Sequence, residues 1–100
     1  MESFDISVEK RNDTGKSAMR KLKNEGMVPG IIYNQGAGIP IILEEHELRN
    51  ILDKKGEGII LNFELNGTKV SAKVKEVQRD PINQDIQHID LMPLDGGILH

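Results

Sequence analysis

One hundred residues allow one compact domain with a modest core, because a chain of this size hides only about two-thirds of its extended surface on folding. Apolar residues at 37% against charged residues at 29% describe a folded domain rather than a disordered one. The lack of cysteine excludes a disulfide scaffold, a thiolate nucleophile and any Cys-ligated metal site. A net charge of −3 excludes nucleic-acid binding through bulk charge alone.

The chain opens without a basic region leading into an apolar stretch, so no secretory signal is expected. Its longest apolar runs, such as Ile39 to Leu43, are far too short to span a bilayer. The expected setting is cytoplasmic and reduced, with no membrane partner.

Phe4 to Val8 alternates apolar and polar residues and predicts a strand. A turn over residues 12–15 leads into a short helix from Lys16 to Asn24, with Gly26 as its stop and Pro29 beyond it. Ala18, Met19 and Leu22 fall on one side of that helix, and Lys16, Arg20 and Lys23 share an adjacent stripe. Residues 9–23 hold six basic residues against two acidic ones, so this window is cationic on an otherwise acidic chain. A solvated helix face explains such a window without any ligand; an anion site is the functional alternative.

Val28 to Tyr33 and Ile39 to Leu43 predict two strands joined by a flexible loop over residues 34–38. Pro29 and Pro40 lack an amide donor and belong at strand starts or edges. Glu44 to Lys55 predicts a second helix, stopped by Gly56. Leu48, Ile51 and Leu52 form its buried stripe, and Glu45 and Arg49 stand i, i+4.

Asn66-Gly67 predicts a two-residue type I′ turn. Folding there pairs Leu65 with Thr68, Phe63 with Val70, Leu61 with Ala72 and Ile59 with Val74 on one apolar face. Glu64 then meets Lys69 and Asn62 meets Ser71 on the other. The alternation slips near Glu76-Val77, which predicts a bulge or bend before Gln78-Arg79-Asp80-Pro81. Ile86 to Met92 predicts a last strand, with Ile89 and Leu91 on one face and His88 and Asp90 on a solvent-facing side. Six strands, two short helices and a small core predict a mainly β, single-domain, six-stranded antiparallel or mixed barrel. Closure removes the edges that a small open sheet leaves unpaired.

Chemistry is sparse. His46, His88 and His100 include no i, i+4 pair for a helical metal site, and the acidic run around His46 reads as a solvated helix start. Gly15-Lys16-Ser17 lacks the upstream glycine of a phosphate loop, because position 10 is lysine. No nucleophile stands with a base and an orienting group, so neither an enzyme nor a bound cofactor or metal is expected. Phe4, Tyr33 and Phe63 are the only aromatic residues, too few for a sheet that stacks single-stranded bases. Tyr33 reads first as a barrel-rim packer with a solvated hydroxyl. His88 and Asp90 read as surface polarity or, functionally, as hydrogen-bonding groups for nucleobase edges.

Two stretches carry a resemblance. Gly15 to Lys23 followed by Val28 to Tyr33, and Val77 to Pro81 followed by Gln87 to Leu91, resemble the signatures of the bacterial ribosomal proteins that bind 5S ribosomal RNA. That family includes the general stress proteins of the Ctc type. The resemblance runs from about residue 4 to residue 92. It implies a six-stranded barrel with short helices, similar to the anticodon-binding barrels of glutaminyl-tRNA synthetases. It also implies docking on 5S rRNA in the large ribosomal subunit. By this resemblance Arg11, Lys16, Arg20 and Lys21 meet phosphates and groove edges. Tyr33 offers a hydroxyl, and Gln78, Arg79, His88 and Asp90 complete the surface. Asp80 stands where the family often has histidine, which puts a negative charge near that surface. Residues 1–93 are expected to form the RNA-binding barrel and 94–100 a tail, monomeric when free. The competing expectation is a diverged stress-related module that binds proteins and has lost tight rRNA binding.

Overall fold

The computed structural model describes residues 3–10, 16–34, 36–55, 58–65 and 67–94. The expected turn over residues 12–15, the stop at Gly56 and most of the tail lie outside them. Among the described residues the chain forms β1 (Ser3–Asp5), β2 (Val8–Lys10), α1 (Lys16–Asn24), β3 (Met27–Asn34) and β4 (Ala37–Glu44). There follow α2 (Glu45–Lys55), β5 (Ile60–Leu65), β6 (Thr68–Arg79) and β7 (Ile86–Pro93). One curled sheet joins all the strands in the order β1-β5-β6-β7-β3-β4-β2.

The ends of that order explain how the sheet closes. β1 and β2 are its two margins, yet they are consecutive pieces of one extended segment. β1 runs parallel to β5, pairing Ser3 with Ile60 and Asp5 with Asn62. β2 runs antiparallel to β4, pairing Val8 with Leu43 and Lys10 with Ile41. Between them the Ile6 amide donates to the Asn62 carbonyl at 3.0 Å and the Ser7 amide to Glu47 Oε1 at 3.1 Å. The segment thus hands over from one margin to the other, and the strand expected over Phe4 to Val8 becomes two. Seven strands therefore stand where six were expected, with the barrel-like closure intact.

The hairpin of β5 and β6 has the predicted register, from Leu65 opposite Thr68 to Leu61 opposite Ala72, and the Val74 amide donates to Ile59. Gly67 has φ of 80°, the left-handed conformation that this turn demands and glycine adopts without a Cβ clash. Register shifts between Val74 and Glu76 and again at Gln78 to Arg79 supply the predicted bulge. β6 continues through it to Arg79 rather than ending before Gln78.

The loop expected over residues 34–38 is instead the tip of a tight hairpin. Tyr33 pairs with Gly38 and Asn34 with Ala37, leaving only positions 35 and 36 between the strands. Both prolines sit where a missing amide costs little. Pro29 lies just before the Gly30 to Ile32 stretch that pairs with β7, and Pro40 just beyond the residues that pair with β2.

Val28, Ile32, Ile41, Leu43, Leu61, Ile89 and Leu91 are wholly buried between the curled strands, and Leu48 and Leu52 of α2 join the same cluster. Complete burial of one such side chain contributes about 1.5–3 kcal/mol. One contact is closer than a side chain allows. A Cβ at Gly30 would lie 2.8 Å from both the carbonyl oxygen and Cγ2 of Ile89, so the parallel pairing of β3 with β7 needs glycine there.

At one corner, α2 and the loop between β6 and β7 are tied by Arg49, which bonds Glu45 one turn back and Asp85 Oδ1 at 2.7 Å. The hydrogen bond that Arg49 donates to Asp85 and the charge of Glu45 raise the Arg49 pKa above its ordinary value. The Glu45 amide donates to the Gly26 carbonyl at 2.9 Å, bringing the end of α1 to the same corner.

Candidate nucleic-acid interface

Helix α1 packs on β3, and Lys23 Nζ donates to the Ile86 carbonyl at 3.3 Å at the start of β7. The cationic helix therefore lies beside the β3–β7 pair. Arg20 and Lys21 on it are exposed. Lys16 is the first residue of α1, and Arg11 lies outside the described residues.

β7 and its two neighbours carry the rest. Alternation turns Ile89 and Leu91 into the core and His88 and Asp90 away from it. Gln78 on β6 stands directly opposite His88, and Glu76 opposite Asp90. On the other side of β7, Ile31 pairs with Asp90 and Ile32 with Leu91, which sets Tyr33 one step further along β3. Tyr33, Gln78, His88 and Asp90 thus share the outer side of three adjacent strands.

One expectation about this face is corrected. His88 and Asp90 were expected on a solvent-facing side, but their side chains are only 22% and 13% exposed. His88 Nδ1 lies 3.1 Å from Asp90 Oδ1. It is buried and makes no hydrogen bond among the described residues, so the two groups are close without being aligned. The imidazole edge beside this sheltered carboxylate thus keeps unused hydrogen-bonding capacity. Asp80, expected to put a negative charge near this surface, also has a structural task. Its Oδ1 accepts from the Ile82 amide at 2.8 Å and the Asn83 amide at 3.3 Å, while its own backbone bonds Gln84 and Asp85. The carboxylate closes the β6–β7 turn, as short acidic side chains do in Asx-type turns. Asp80→Ala is expected to cost about 1 kcal/mol, read as a lower melting temperature by circular dichroism. An unchanged melt would show that the turn holds without the cap.

Arg79 is set apart from its neighbours. It pairs with Ile86, is half-buried, and donates from Nη1 to the Gln84 carbonyl of the same turn at 3.3 Å. One basic residue escaped the sequence reading. Lys75, at the β6 bulge, holds its Nζ 4.9 Å from the centre of the Tyr33 ring. Tyr33 is therefore partly roofed by an ammonium rather than a rim residue open on all sides. Among the described residues, no group of three or more His, Asp or Glu could hold a metal ion, and no helix is long and apolar enough to cross a membrane.

Helix α1 thus packs on β3, the strand that also carries Tyr33. The model of the ribosomal L25p family matches residues 6–91. The chain belongs to that family. Its members are structural rather than catalytic proteins, in keeping with a sequence that offers no nucleophile and base. The chain is 40% identical over 92 residues to the large ribosomal subunit protein bL25 of Thermoanaerobacter sp. (strain X514), covering 90% of this chain and 45% of that protein. The bL25 of Bacillus licheniformis is 34% identical over 91 residues, covering 90% and 44%. That of Leifsonia xyli subsp. xyli is 35% identical over 97 residues, covering 96% and 48%. The chain spans about half the length of the curated relatives it matches.

Proposed function

We propose that this L25p-family domain is a structural component of the large ribosomal subunit that binds 5S rRNA and works in the cytoplasm as part of the ribosome. The observation that carries the reading is that α1 packs on β3, a strand that also contributes Tyr33 to the outer face shared with Gln78, His88 and Asp90. Phosphate contacts fix position and carry no sequence information; groups on base edges supply it. Lys16, Arg20 and Lys21, with Arg11, take the first role. Asp90 accepts hydrogen bonds from base amino or imino groups, and His88 and Gln78 hydrogen-bond beside it. Arg79 acts mainly through the turn that it anchors. An A-form helix hides its major groove, so a face that reads base edges fits a widened or non-canonical stretch of paired RNA better than a regular duplex. The scarcity of aromatic residues supports paired RNA over a single strand.

The alternative of a protein-binding stress module draws on the acidity, on Asp80 and on lysine where the family often has arginine. Asp80 also has a structural task in the β6–β7 turn, which accounts for an acidic residue there without a protein partner.

Arg20→Ala tests the reading. Arg20 is exposed, so the fold is expected to survive, while affinity for 5S rRNA falls about fivefold to tenfold through loss of one phosphate contact. A gel-shift titration of both proteins reads the difference. Equal affinity would remove α1 from the interface.

A further inference from the structure

The outer side of β6 carries cations that the proposed face has not used. Val70, Ala72 and Val74 point into the core, so Lys69, Ser71 and Lys73 point away from it. The three lysines of this stretch are not equivalent. Lys69 stands opposite Glu64 on β5, which offsets its charge. Lys73 stands between Ile60 and Met92, with no acidic cross-strand partner. Lys75 falls in the register shift between Val74 and Glu76, where the extra residue of a bulge is re-aimed. Both Lys75 and Glu76 are exposed as a result, and Glu76 is directed at Asp90 across the ladder while Lys75 reaches Tyr33.

This position has a chemical consequence. An ammonium held over the Tyr33 ring keeps its three donors but loses some of its freedom, and it occupies a ring face on which a base could otherwise stack. Lys75 and the Tyr33 hydroxyl then offer donors to a single anionic oxygen cluster, with Lys73 two residues along the same strand.

We propose that Lys73, Lys75 and Tyr33 form a second phosphate-binding margin of the face. Its two lysines lie on β6, across β7 from the strand on which α1 packs, and Tyr33 on that strand meets Lys75 over β7, so one RNA helix is held by its backbone from two sides. The inference rests on the RNA-binding reading above and adds to it a second contact line and a reason for the β6 bulge. Tyr33 acts here by its hydroxyl and by steadying Lys75, without stacking a base on the covered side of its ring.

The test is a salt series of binding titrations against isolated 5S rRNA. It compares the parent protein, Lys73→Gln/Lys75→Gln and, on the exposed surface of α2 outside the proposed margin, Lys54→Gln. All three lysines are exposed, so the variants are expected to fold. The double variant should bind about tenfold more weakly near 0.1 M salt, with a slope of log affinity against log salt shallower by about 1.5–2. Lys54→Gln should match the parent in both respects. If the parent binds and the double variant keeps the parental slope, the second margin is overturned while the first reading stands. If the double variant and Lys54→Gln lose slope equally, the effect is one of net charge and the inference is again overturned. A parent protein that does not bind 5S rRNA overturns both.

Discussion

Gly30→Ala lowers stability by about 2–3 kcal/mol, the range for forcing extra volume into a packed site. In a domain of this size that is about 10–20 °C in melting temperature. The expectation comes from one contact. The added Cβ would stand 2.8 Å from the Ile89 carbonyl oxygen, a backbone atom that cannot swing aside as a side-chain end can. Relief requires β3 and β7 to part, and their parallel pairing covers only Gly30 to Ile32 against Ile89 to Leu91. The same two strands hold Tyr33, on β3, and His88 and Asp90, on β7, so the variant should also weaken RNA binding at temperatures where it is still folded. A thermal melt followed by circular dichroism, with a titration at low temperature, reads both effects. A parental melting temperature would mean that the strands can separate locally without loss, and the close approach would then have no bearing on stability.

The second large effect is electrostatic. The four phosphate contacts of Arg11, Lys16, Arg20 and Lys21, before the β6 lysines add to them, should give affinity for 5S rRNA a log–log salt slope of about −3 to −4. Raising salt from about 50 to 200 mM then weakens binding about a hundredfold. Overall charge cannot be the source, because the protein is net negative at −3 and its acidic remainder would repel RNA. A steep slope therefore reports a local cationic face. Arg20→Ala/Lys21→Ala should flatten it by about 2. A slope near zero in the parent protein would mean that few counterions are released, and the phosphate-contact mechanism would fail.

The elements that the sequence made legible are those set by near neighbours in the chain. The β5–β6 hairpin is fixed by a two-residue turn and by an alternation of period two, and both agree on one register. Helix α1 runs from Lys16 to Asn24 as its cap and stop residues indicate. The split of the first strand was not legible, because Ser3 to Asp5 and Val8 to Lys10 answer to partners far apart in sequence, and nothing local marks the handover at Ile6-Ser7. The burial of Asp90 was hidden for a related reason. Period two says which face a residue takes, not how deeply its neighbours across the sheet enclose that face. Lys75 was missed because a bulge breaks the phase on which facing is judged, so its place over Tyr33 emerges only once the strands are paired. The turn-closing task of Asp80 could have been recognised: Asp-Pro-Ile-Asn is turn chemistry, with backbone amides two and three residues on for the carboxylate to accept from.

The segment from Ser3 to Lys10 is made before either strand that it joins. Val8 must wait for Leu43 and Ser3 for Ile60, so the final seam of the structure is sewn by its earliest part. Until then β4 and β5 each present a bare ladder of amides and carbonyls to any passing chain, and only the late return of this clasp retires both hazards together.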